Sequence, residues 1–370
     1  MRYGVIGCGK VFQKRHWPSL QGHPRIHFAM LCDINKDILA RVSQETGVAR
    51  TTTNWRDVIH SDVDAVLVCT LPDLNVEICE AAAAAGKHIY CEKPIACTIT
   101  EGRRIIAAAR QAGLKLCVGH QRRFCAADRK AIQIIRAGQI GEIFKILMSH
   151  NLSNSPKMWP SQRWWDWRYL YSHGRWLHWA AHYVDLICYL MDDEPVKVVC
   201  EIAQYGEGGP RLSDTDAIGI FRFRRGGMGV VEVGGSQFAV HPDTLSAEAE
   251  ERTEICGTKG SIYYARARGL FRTNIPPGGW SRQPNFVESH TDEEPADMYA
   301  QHRRLHEAFM EAIEKDTASP VSGEHGLRAV EMILGGYLSM IQGRAVTLPL
   351  SQADITAIEA LRTAPTGARA

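Results

Sequence analysis

Short apolar runs alternate with amphipathic segments along the first third of the chain. The apolar runs have the length and composition of strands and occupy residues 3–6, 26–32, 65–69, 88–91 and 115–118. Helical segments lie between them, one ending near residue 20 and the others at residues 36–46, 55–60, 74–85 and 100–112. Strands and helices that alternate at this spacing predict a parallel, doubly wound sheet of the Rossmann type.

The pattern changes from about residue 124 onwards, where longer strands follow one another. After a helix at residues 126–137, strands are predicted at residues 143–150, 196–204, 217–224, 227–234 and 254–264. They favour an open, mainly antiparallel sheet with helices on one face. Two late helices, at residues 298–315 and 324–342, are expected to return and pack beside the first domain. Residues 268–294 are rich in glycine, proline and polar side chains, and we expect a mobile loop or an oligomer arm there.

The predicted fold class is therefore α/β with two domains. An N-terminal Rossmann domain is expected over residues 1–123, and a C-terminal α+β domain for substrate binding and oligomerisation over residues 124–370. The length supports this division, because 370 residues exceed one ordinary hydrophobic core. An open sheet face usually needs a partner, so we expect a homodimer or homotetramer.

Composition and charge are those of an ordinary globular protein. Hydrophobic residues make up 45% of the chain and the formal net charge is +2, so no nucleic-acid partner is indicated. Eleven cysteines show no disulfide framework and no Cys-x-x-Cys pair, which fits buried thiols in a reducing compartment. No leader precedes the first strand, and no apolar run approaches membrane-spanning length. We expect a cytoplasmic protein without a membrane partner or a bound metal.

A glycine turn follows the first predicted strand. Gly7 and Gly9 match the first two glycines of the dinucleotide fingerprint, one for the tight turn and one for close approach of the backbone to a pyrophosphate. Phe12 stands where the third glycine is usual. Asp33 ends the second strand, where a carboxylate binds the adenosine ribose hydroxyls and repels a ribose phosphate. We therefore favour NAD over NADP.

The fourth predicted strand ends in the turn Glu92-Lys93-Pro94. A lysine just past the carboxyl end of a strand in an open parallel sheet points into the crevice where such folds bind ligands. Pro94 restricts the backbone on both sides and admits a cis bond, so Lys93 is held on a stiff turn. This suits a catalytic or substrate-holding lysine, although an isolated turn of this kind is more often a solvated surface feature.

Several further short motifs accompany these two turns. They are the loop at residues 70–75, Gly86-Lys87-His88, Arg123-Phe124, Ile255-Cys256-Gly257-Thr258-Lys259-Gly260-Ser261 and Pro320-Val321-Ser322-Gly323-Glu324. In combination they closely resemble the Gfo/Idh/MocA oxidoreductases, which include glucose-fructose oxidoreductase, inositol dehydrogenase and rhizopine-catabolism enzymes. The resemblance covers essentially the whole chain. It implies transfer of a hydride between NAD(P) and a secondary hydroxyl of a sugar, a sugar derivative or a cyclitol.

The resemblance also implies where the cofactor binds. Together with the glycine turn it assigns cofactor contacts to Gly7, Gly9, Lys10, Val11, Phe12, Asp33, Thr70, Leu71, Pro72, Asn75, Glu92, Lys93 and Gln121. Two positions depart from the family pattern. Phe12 replaces the usual third glycine or alanine, and Asn75 stands where a histidine is common. We expect cofactor binding to survive both changes.

A segment rich in tryptophan and arginine begins the second half of the predicted site. Six of the nine tryptophans of the chain lie in this segment, interleaved with three arginines. They are Trp159, Trp164, Trp165, Trp167, Trp176 and Trp179. Aromatic rings that stack on sugar faces, with arginines at the polar edge, suit a carbohydrate pocket. We expect one or two of the six to contact ligand and the rest to lie in the core or at a subunit contact.

Two histidines and an aspartate follow at helical spacing. His178, His182 and Asp185 are predicted to share one helix face. The family pattern here is Asp-x-Gly-x-His-x-x-Asp, so by resemblance His182 matches the acid-base histidine and Asp185 the last acid. His178 stands in place of the first aspartate and brings no fixed negative charge to stabilise an imidazolium at His182. Two histidines satisfied in a buried helix, without chemistry, are the alternative interpretation.

The predicted mechanism removes a hydride from a carbinol carbon while a base takes the hydroxyl proton. The catalytic residues are expected to be His182 as the base, Lys93 on the same oxygen, and Asp185 and His178 as their support. The predicted substrate-binding residues are Lys93, Arg123, Trp165, Arg168, Arg175, His178 and His182. Because His173, Arg175 and His178 make this region cationic, an anionic substrate such as a uronate or a nucleotide or phosphate sugar is also considered.

Two other functional interpretations stay open on the sequence. One is a glycoside-cleaving enzyme that holds NAD tightly and works by transient oxidation and elimination, a chemistry that some relatives of this family perform. The other is a sensor or structural subunit that keeps the nucleotide-binding fold without the chemistry. The missing acid at His178 permits the second interpretation, whereas the presence of Lys93 and His182 argues against it.

Overall fold

The computed structural model describes residues 1–151, 175–203, 216–234, 250–266, 270–277, 285–290 and 298–363. The contacts within the chain divide it into two compact units. The first unit contains Met1–Phe124 and Met298–Val330, and the second contains Cys125–Asp297 and Glu331–Ala370. The sequence prediction drew a single boundary after residue 123 and expected the late helices to pack back on the first domain.

Residues 1–124 are described without a gap, and six parallel strands among them form the sheet of the first unit. They are β1 (Arg2–Ile6), β2 (His27–Cys32), β3 (Thr51–Thr52), β4 (Ala65–Val68), β5 (His88–Cys91) and β6 (Leu116–Val118). Their order is β3-β2-β1-β4-β5-β6, with every neighbouring pair parallel. Every residue of β4 is buried, so both faces of the sheet are covered. The predicted doubly wound Rossmann sheet is confirmed.

Helices connect these strands, and their starts follow from capping side chains. The helices are α1 (Trp17–Leu20), α2 (Lys36–Thr46), α3 (Trp55–Ile59), α4 (Asn75–Ala84) and α5 (Ile99–Gln111). Asn35, Asn54 and Thr98 cap α2, α3 and α5 by accepting a backbone N–H of the first turn. The helix predicted to end near residue 20 is not α-helical throughout, because Phe12–His16 forms a π-helical turn before α1.

The second unit is built on a mixed sheet of nine strands in its described part. Its elements in chain order are α6 (Ala126–Arg136), β7 (Ile143–Asn151), a π-helical turn (Arg175–Trp179), α7 (Ala180–Met191), β8 (Pro195–Ala203), β9 (Asp216–Phe223), β10 (Met228–Gly234), β11 (Glu250–Gly257), β12 (Ser261–Ala265), β13 (Leu270–Asn274), β14 (Phe286–His290) and β15 (Val346–Thr347). The strand order is β14-β13-β12-β11-β7-β10-β9-β8-β15. The pair β7 and β10 is parallel and the other neighbouring pairs are antiparallel. The predicted open, mainly antiparallel sheet is confirmed.

Two predictions for this sheet were wrong in detail. The single strand predicted at residues 254–264 is a hairpin of β11 and β12, closed by a hydrogen bond from Gly257 N–H to the Gly260 carbonyl at 2.8 Å. The segment at residues 268–294, predicted as a loop or arm, contains the paired strands β13 and β14. Their short alternating patterns were hidden among glycine and proline residues. Arg272 and Glu288 pair across these two strands at 2.7 Å.

Three helices complete the described chain. They are α8 (Met298–Glu314), α9 (Gly323–Gln342) and α10 (Gln352–Thr363). The helix α8 belongs to the first unit, where it contacts α1 and the π-helical turn before it. The sequence predicted α8 and α9 but neither α10 nor β15, because β15 has only two residues and gives no periodic signal.

The cysteines of the chain are free thiols. None of the eleven cysteines forms a disulfide. Burial, followed by the nearby Asp33 charge, raises the pKa of the Cys8 and Cys32 thiols to about 12, so both stay protonated at neutral pH. Across the described ranges, every helix is too short or too polar to cross a lipid bilayer.

Trp176, from the tryptophan-rich segment, is a core residue of the second unit. Its ring is 0% exposed and stacks on Phe221 with centroids 6.2 Å apart. Its Nε1–H donates to the Ile333 carbonyl at 3.0 Å. Two glycines leave the space that it fills: a Cβ on Gly219 would overlap the indole ring, and one on Gly336 would lie 2.5 Å from Nε1. The aromatic segment therefore serves the core at this position.

Gly219→Ala is expected to destabilise the second unit because the added methyl group displaces the buried indole. The expected loss in free energy of unfolding is about 1–3 kcal/mol, the usual cost of overpacking. Chemical denaturation followed by tryptophan fluorescence measures it. Ile218→Ala, on the next residue but the exposed face of the same strand, is the matched control and should cost less. Equal losses for the two variants would contradict this account of Trp176.

Candidate active site

The turn after β1 is held against the end of β2 by two backbone donors. Gly7 N–H donates to the Cys32 carbonyl and Cys8 N–H donates to Asp33 Oδ2, each at 2.8 Å. Gly7 has φ of +96°, and a Cβ there would lie 2.6 Å from the Cys69 carbonyl oxygen. Only glycine fits this position. Asp33 thus lies beside the glycine turn, at the strand end where Rossmann sheets bind the ribose.

Gly9, in contrast, faces open space. A Cβ built on Gly9 meets no atom within 4 Å. The packing of the protein therefore does not require glycine here, whereas close approach of a pyrophosphate to the backbone does. Lys10 and Val11, the next two residues, are exposed. The turn fits the diphosphate of a dinucleotide.

Exposed apolar side chains gather at the same edge of the sheet. Val11, Ile34, Leu71 and Leu74 follow the carboxyl ends of β1, β2 and β4, and Ile34 is 88% exposed. Large apolar side chains grouped at a ligand-binding edge form the apolar walls that a cofactor pocket needs. Sequence analysis predicted Val11 and Leu71 but missed Ile34 and Leu74, because a single apolar residue in a turn has no periodic pattern.

Phe12 does not project into this edge. Its side chain is 0% exposed and meets Phe28 of β2 edge to face, with centroids 5.1 Å apart. It therefore fills the space between helix and sheet that the third glycine of the fingerprint usually keeps small. A contact between Phe12 and a nucleotide would have to be made by its backbone.

Asn75 braces two loops of the site. Its Oδ1 accepts a hydrogen bond from Thr70 Oγ1 at 3.1 Å, and its Nδ2 donates to the carbonyls of Pro94 and Ile95 at 3.3 and 3.1 Å. Its side chain is buried. The loop after β4 and the turn after β5 are therefore fixed to each other. A direct contact of Asn75, Thr70 or Pro72 with the cofactor stays a prediction.

Lys93 lies in the turn after β5, where its peptide bond to Pro94 is cis. Its backbone N–H donates to Glu92 Oε2 at 3.1 Å. Burial lowers the pKa of the Lys93 ammonium to about 8; the Glu92 charge opposes this shift, and the Arg122 charge adds to it. A lysine with such a pKa can both hold and release a proton near neutral pH, as a general acid or base must. Arg122 was not predicted to act here.

Glu92, the neighbour of Lys93, is an anion in a confined place. Burial raises its pKa, but the hydrogen bond from His16 and the electrostatic interactions with His16, His302 and Lys93 outweigh burial, so the pKa lies below its usual value. His16 Nε2 lies 3.0 Å from Glu92 Oε1. The carboxylate is thus held charged beside the lysine. His16 was missed on the sequence, since no motif marks it.

Gln121 and Arg123 follow β6 in a short 3₁₀ turn, Gln121–Phe124. Gln121 Oε1 is buried and has no hydrogen-bond partner among the residues that the structure describes. A buried acceptor of this kind suits an amide donor from a bound cofactor. Arg123 is 5% exposed. Its predicted contact with substrate stays a prediction.

In the second unit, α7 carries His182 and Asp185. The two side chains are 5% and 1% exposed, in a helix that is apolar almost all round and therefore buried. His178 precedes the helix in the π-helical turn, and its ring meets Trp179 edge to face at 5.5 Å. The catalytic roles assigned to these histidines and to Asp185 stay predictions.

His150 of β7 adds an unpredicted group next to α7. The rings of Trp179 and Tyr183 lie 4.4 and 5.4 Å from the His150 ring. Its Nδ1 lies 3.1 Å from Glu251 Oε1 of β11. These residues come from three separated parts of the sequence, so no local motif could indicate them.

Most of the remaining predicted site residues belong to the tryptophan-rich segment. Trp165 and Arg168 lie outside the described residues, as do Trp159, Trp164, Trp167 and His173. For Arg175 the structure describes only the backbone. Lys93 belongs to the first unit and His182 to the second. In the part of the chain that is described, no group of three His, Cys, Asp or Glu side chains is arranged to hold a metal ion.

Comparison with protein families agrees with the geometry of the first unit. Residues 1–120 match the family model described as an oxidoreductase family with an NAD-binding Rossmann fold. Residues 129–263 match the GFO/IDH/MocA C-terminal domain. The chain belongs to the GFO/IDH/MocA family of NAD-binding oxidoreductases, as its motifs predicted. The predicted cofactor, NAD, is confirmed at the level of the family.

Individual relatives align over nearly their whole length. The chain is 29% identical to 1,5-anhydro-D-fructose reductase of Ensifer adhaerens over 84% of this chain and 87% of that protein. It is 26% identical to myo-inositol 2-dehydrogenase of Thermotoga maritima over 94% of this chain and 98% of that protein. The crystal structure of the WlbA dehydrogenase from Bordetella pertussis, in complex with NADH and UDP-GlcNAcA, shares the fold, with a TM-score of 0.78, 24% identity, and coverage of 95% and 98%.

Alanine substitutions at the two glycines of the turn are expected to affect different properties, NAD affinity at Gly9 and folding stability at Gly7. Gly9→Ala should leave thermal stability unchanged and weaken NAD binding tenfold or more, about 1.4 kcal/mol, because its methyl group occupies only the nucleotide space. Gly7→Ala should lower the free energy of unfolding by about 1–3 kcal/mol, because the backbone conformation and Cys69 exclude a side chain. Calorimetric titration and thermal denaturation separate the effects. Unchanged NAD affinity in Gly9→Ala would show that the nucleotide does not approach this turn.

Proposed function

We propose that this protein is a dehydrogenase that transfers a hydride between NAD and a secondary hydroxyl of a sugar, a sugar derivative or a cyclitol. The observation that carries the proposal is Lys93, on a braced turn at the ligand-binding edge of the sheet, with a pKa lowered to about 8 by burial. The glycine turn, Asp33 and the buried Gln121 acceptor belong to the same edge.

The proposed chemistry assigns each step to one side chain. NAD, when bound, supplies the hydride acceptor. His182 takes the hydroxyl proton as the base, and Lys93 donates a hydrogen bond to the same oxygen and stabilises the developing alkoxide. Asp185 orients the site from one turn further along α7. Because His178 brings no negative charge, the imidazolium at His182 is less stabilised than it would be beside an aspartate.

The substrate class is inferred from names and from charge. Two relatives named above are a reductase for an anhydro sugar and a dehydrogenase for an inositol, which supports a carbohydrate or cyclitol. The basic residues His173, Arg175 and His178 precede α7 in the sequence, and their clustering favours an acidic sugar within that class. Rates of NADH formation with neutral sugars, cyclitols and the matching uronates decide between them. An exclusive preference for neutral cyclitols would exclude an acidic sugar as the substrate.

Lys93→Met is expected to abolish turnover while NAD affinity stays nearly unchanged, because it removes the ammonium and keeps the length of the side chain. The matched control is Lys87→Met, at the other end of the same strand, whose Nζ donates to the Ser61 and Val63 carbonyls at 2.8 and 2.9 Å. The control should lower stability and retain activity. Initial rates and calorimetric titration measure both. If Lys93→Met loses NAD binding as well, the lysine is structural and the proposed role is wrong.

We also propose that the protein is a homo-oligomer in the cytoplasm. Absence of disulfides among eleven cysteines supports a reducing compartment. One face of the second sheet exposes Val199, Ile218 and Ile220 on neighbouring strands. Along β8, Lys197 and Glu201 flank Val199 on the same face. A two-fold axis near Val199 would set Lys197 of one copy against Glu201 of the other, so the patch is complementary to itself.

Ile220→Glu is expected to shift the protein to monomers, because it places a charge in the apolar centre of this face. Light scattering coupled to size-exclusion chromatography gives the molar mass. Phe144→Glu, at an exposed position at the start of β7 outside the patch, is the control and should keep the wild-type mass. An Ile220→Glu protein with the wild-type oligomeric mass would show that copies associate elsewhere.

A further inference from the structure

Three side chains that the proposed reaction does not use form a buried hydrogen-bond chain that ends at Glu92. Tyr3 Oη lies 2.9 Å from His306 Nδ1, and His306 Nε2 lies 2.9 Å from His16 Nδ1. His16 Nε2 in turn lies 3.0 Å from Glu92 Oε1. Tyr3, His16 and His306 are each 0% exposed. The chain joins β1, the first π-helical turn, α8 and the end of β5, all within the first unit.

The carboxylate at one end, together with neutral imidazole rings, fixes the direction of every hydrogen in this hydrogen-bond chain. A carboxylate only accepts, so His16 Nε2 carries the hydrogen of this bond, and in a neutral His16 ring Nδ1 carries none and accepts from His306. His306 Nε2 then donates to His16, and His306 Nδ1 accepts from the Tyr3 hydroxyl. Burial, followed by electrostatic interaction with the neighbouring histidines, holds the pKa of His306 well below its usual value, so its ring is neutral as this direction requires. All three hydrogens point toward Glu92, and each bond polarises the next.

Packing alone does not account for these residues. Apolar side chains would fill the same volume without the cost of removing three polar groups from water. His306 does stack on Tyr90, with ring centroids 4.3 Å apart, but a phenyl ring could make the same contact. Unlike apolar side chains, the hydrogen-bond chain supplies a donor to Glu92 Oε1, namely His16, and this donor is itself supported by a hydrogen bond from His306.

The backbone also makes room for the carboxylate. A Cβ on Gly119 would lie 2.6 Å from Glu92 Oε1, so the glycine lets β6 approach the charged group closely. The titratable groups in electrostatic contact with Glu92 include His16, His302 and Lys93, and also Tyr90 and the thiols of Cys69, Cys91 and Cys117, whose pKa values are all raised. Those in contact with Lys93 include Glu92 and Arg122. Since Glu92 is the one negative charge among these described groups, its state sets the balance of charge around the lysine.

We propose that His16, His306 and Tyr3 are positioning residues whose hydrogen-bond chain holds the Glu92 carboxylate charged and oriented beside Lys93. The inference rests on the proposed function only in giving Lys93 a catalytic task. Loss of the chain removes the His16 donor from Glu92 Oε1 and leaves this largely buried carboxylate with the Lys93 backbone N–H at Oε2, which favours the protonated acid. Lys93 then loses the opposing charge of Glu92, and its ammonium becomes a stronger acid.

The test measures the titration of Lys93 directly in the full-length protein. Acetic anhydride labels neutral amines, so the labelling of Lys93 against pH, quantified by peptide mass spectrometry, gives its pKa without any substrate. In Glu92→Gln this pKa is expected to fall by roughly one unit, the usual effect of losing an adjacent opposite charge. His16→Phe should produce a similar fall. His16→Gln, which can still donate to Glu92 and accept from His306, should restore most of the wild-type value.

The control is another histidine of the same unit that pairs with a carboxylate away from Lys93. His23 Nε2 lies 3.2 Å from Glu307 Oε1, and His23→Gln should leave the titration of Lys93 unchanged. A fall in Glu92→Gln without a fall in His16→Phe would overturn the proposal, because the chain would then not maintain the charge. If His16→Phe does not fold, His306→Phe takes its place. This variant is also expected to lower the pKa of Lys93, and the absence of that fall would equally overturn the proposal.

Failure of this inference can be told apart from failure of the proposed function. Labelling reports the charge on Lys93 whether or not the protein oxidises a sugar. Full turnover in Lys93→Met would refute the proposed role of the lysine and leave the labelling result standing. An unshifted Lys93 titration in both Glu92→Gln and His16→Phe would refute the chain while leaving the dehydrogenase proposal intact.

Discussion

The hydrogen bond between His16 and Glu92 connects the two turns on which the proposed chemistry depends. His16 ends the π-helical turn that follows the glycine turn, and Glu92 begins the turn that carries Lys93. Sheet hydrogen bonds fix β1 and β5 but not the loops beyond their ends. A contact of 3.0 Å between imidazole and carboxylate therefore makes the nucleotide-binding turn and the lysine turn parts of one braced structure. Asn75 braces the same region from the loop after β4.

This bracing has an electrostatic consequence. Partial burial lowers the pKa of a lysine and favours loss of its proton. A charged carboxylate beside the lysine raises this pKa, because it stabilises the protonated ammonium. The pKa of about 8 at Lys93 is the resultant of burial, Glu92 and Arg122. Such a value suits a group that stabilises an alkoxide at one stage and passes on a proton at another. The fold thus contributes to catalysis through the environment of one ammonium group as well as through its position.

The sequence indicated the first unit well because strong local signals exist there. The buried strand β4 is an uninterrupted apolar run, and Gly7 is required both by its φ and by contact with Cys69. Lys93 was found because it follows a strand at the ligand edge. The hydrogen-bond partner of Glu92 was missed, since His16 lies 76 residues away from it in the chain and only tertiary packing brings them together. The second sheet was predicted less well, because a tight hairpin and short strands such as β13 interrupt the alternating pattern.

The most direct test of the central claim is the nicotinamide absorbance of the NAD-loaded protein after a sugar or cyclitol is added in stoichiometric amount. A dehydrogenase is predicted to accumulate NADH in proportion to the oxidised substrate, and the signal should persist until product is removed. NADH that appears and then returns to NAD as a glycosidic bond breaks would identify an oxidation and elimination enzyme instead. No NADH with any sugar, uronate or cyclitol, from protein that binds NAD, would contradict the account and indicate a nucleotide-binding protein without this chemistry.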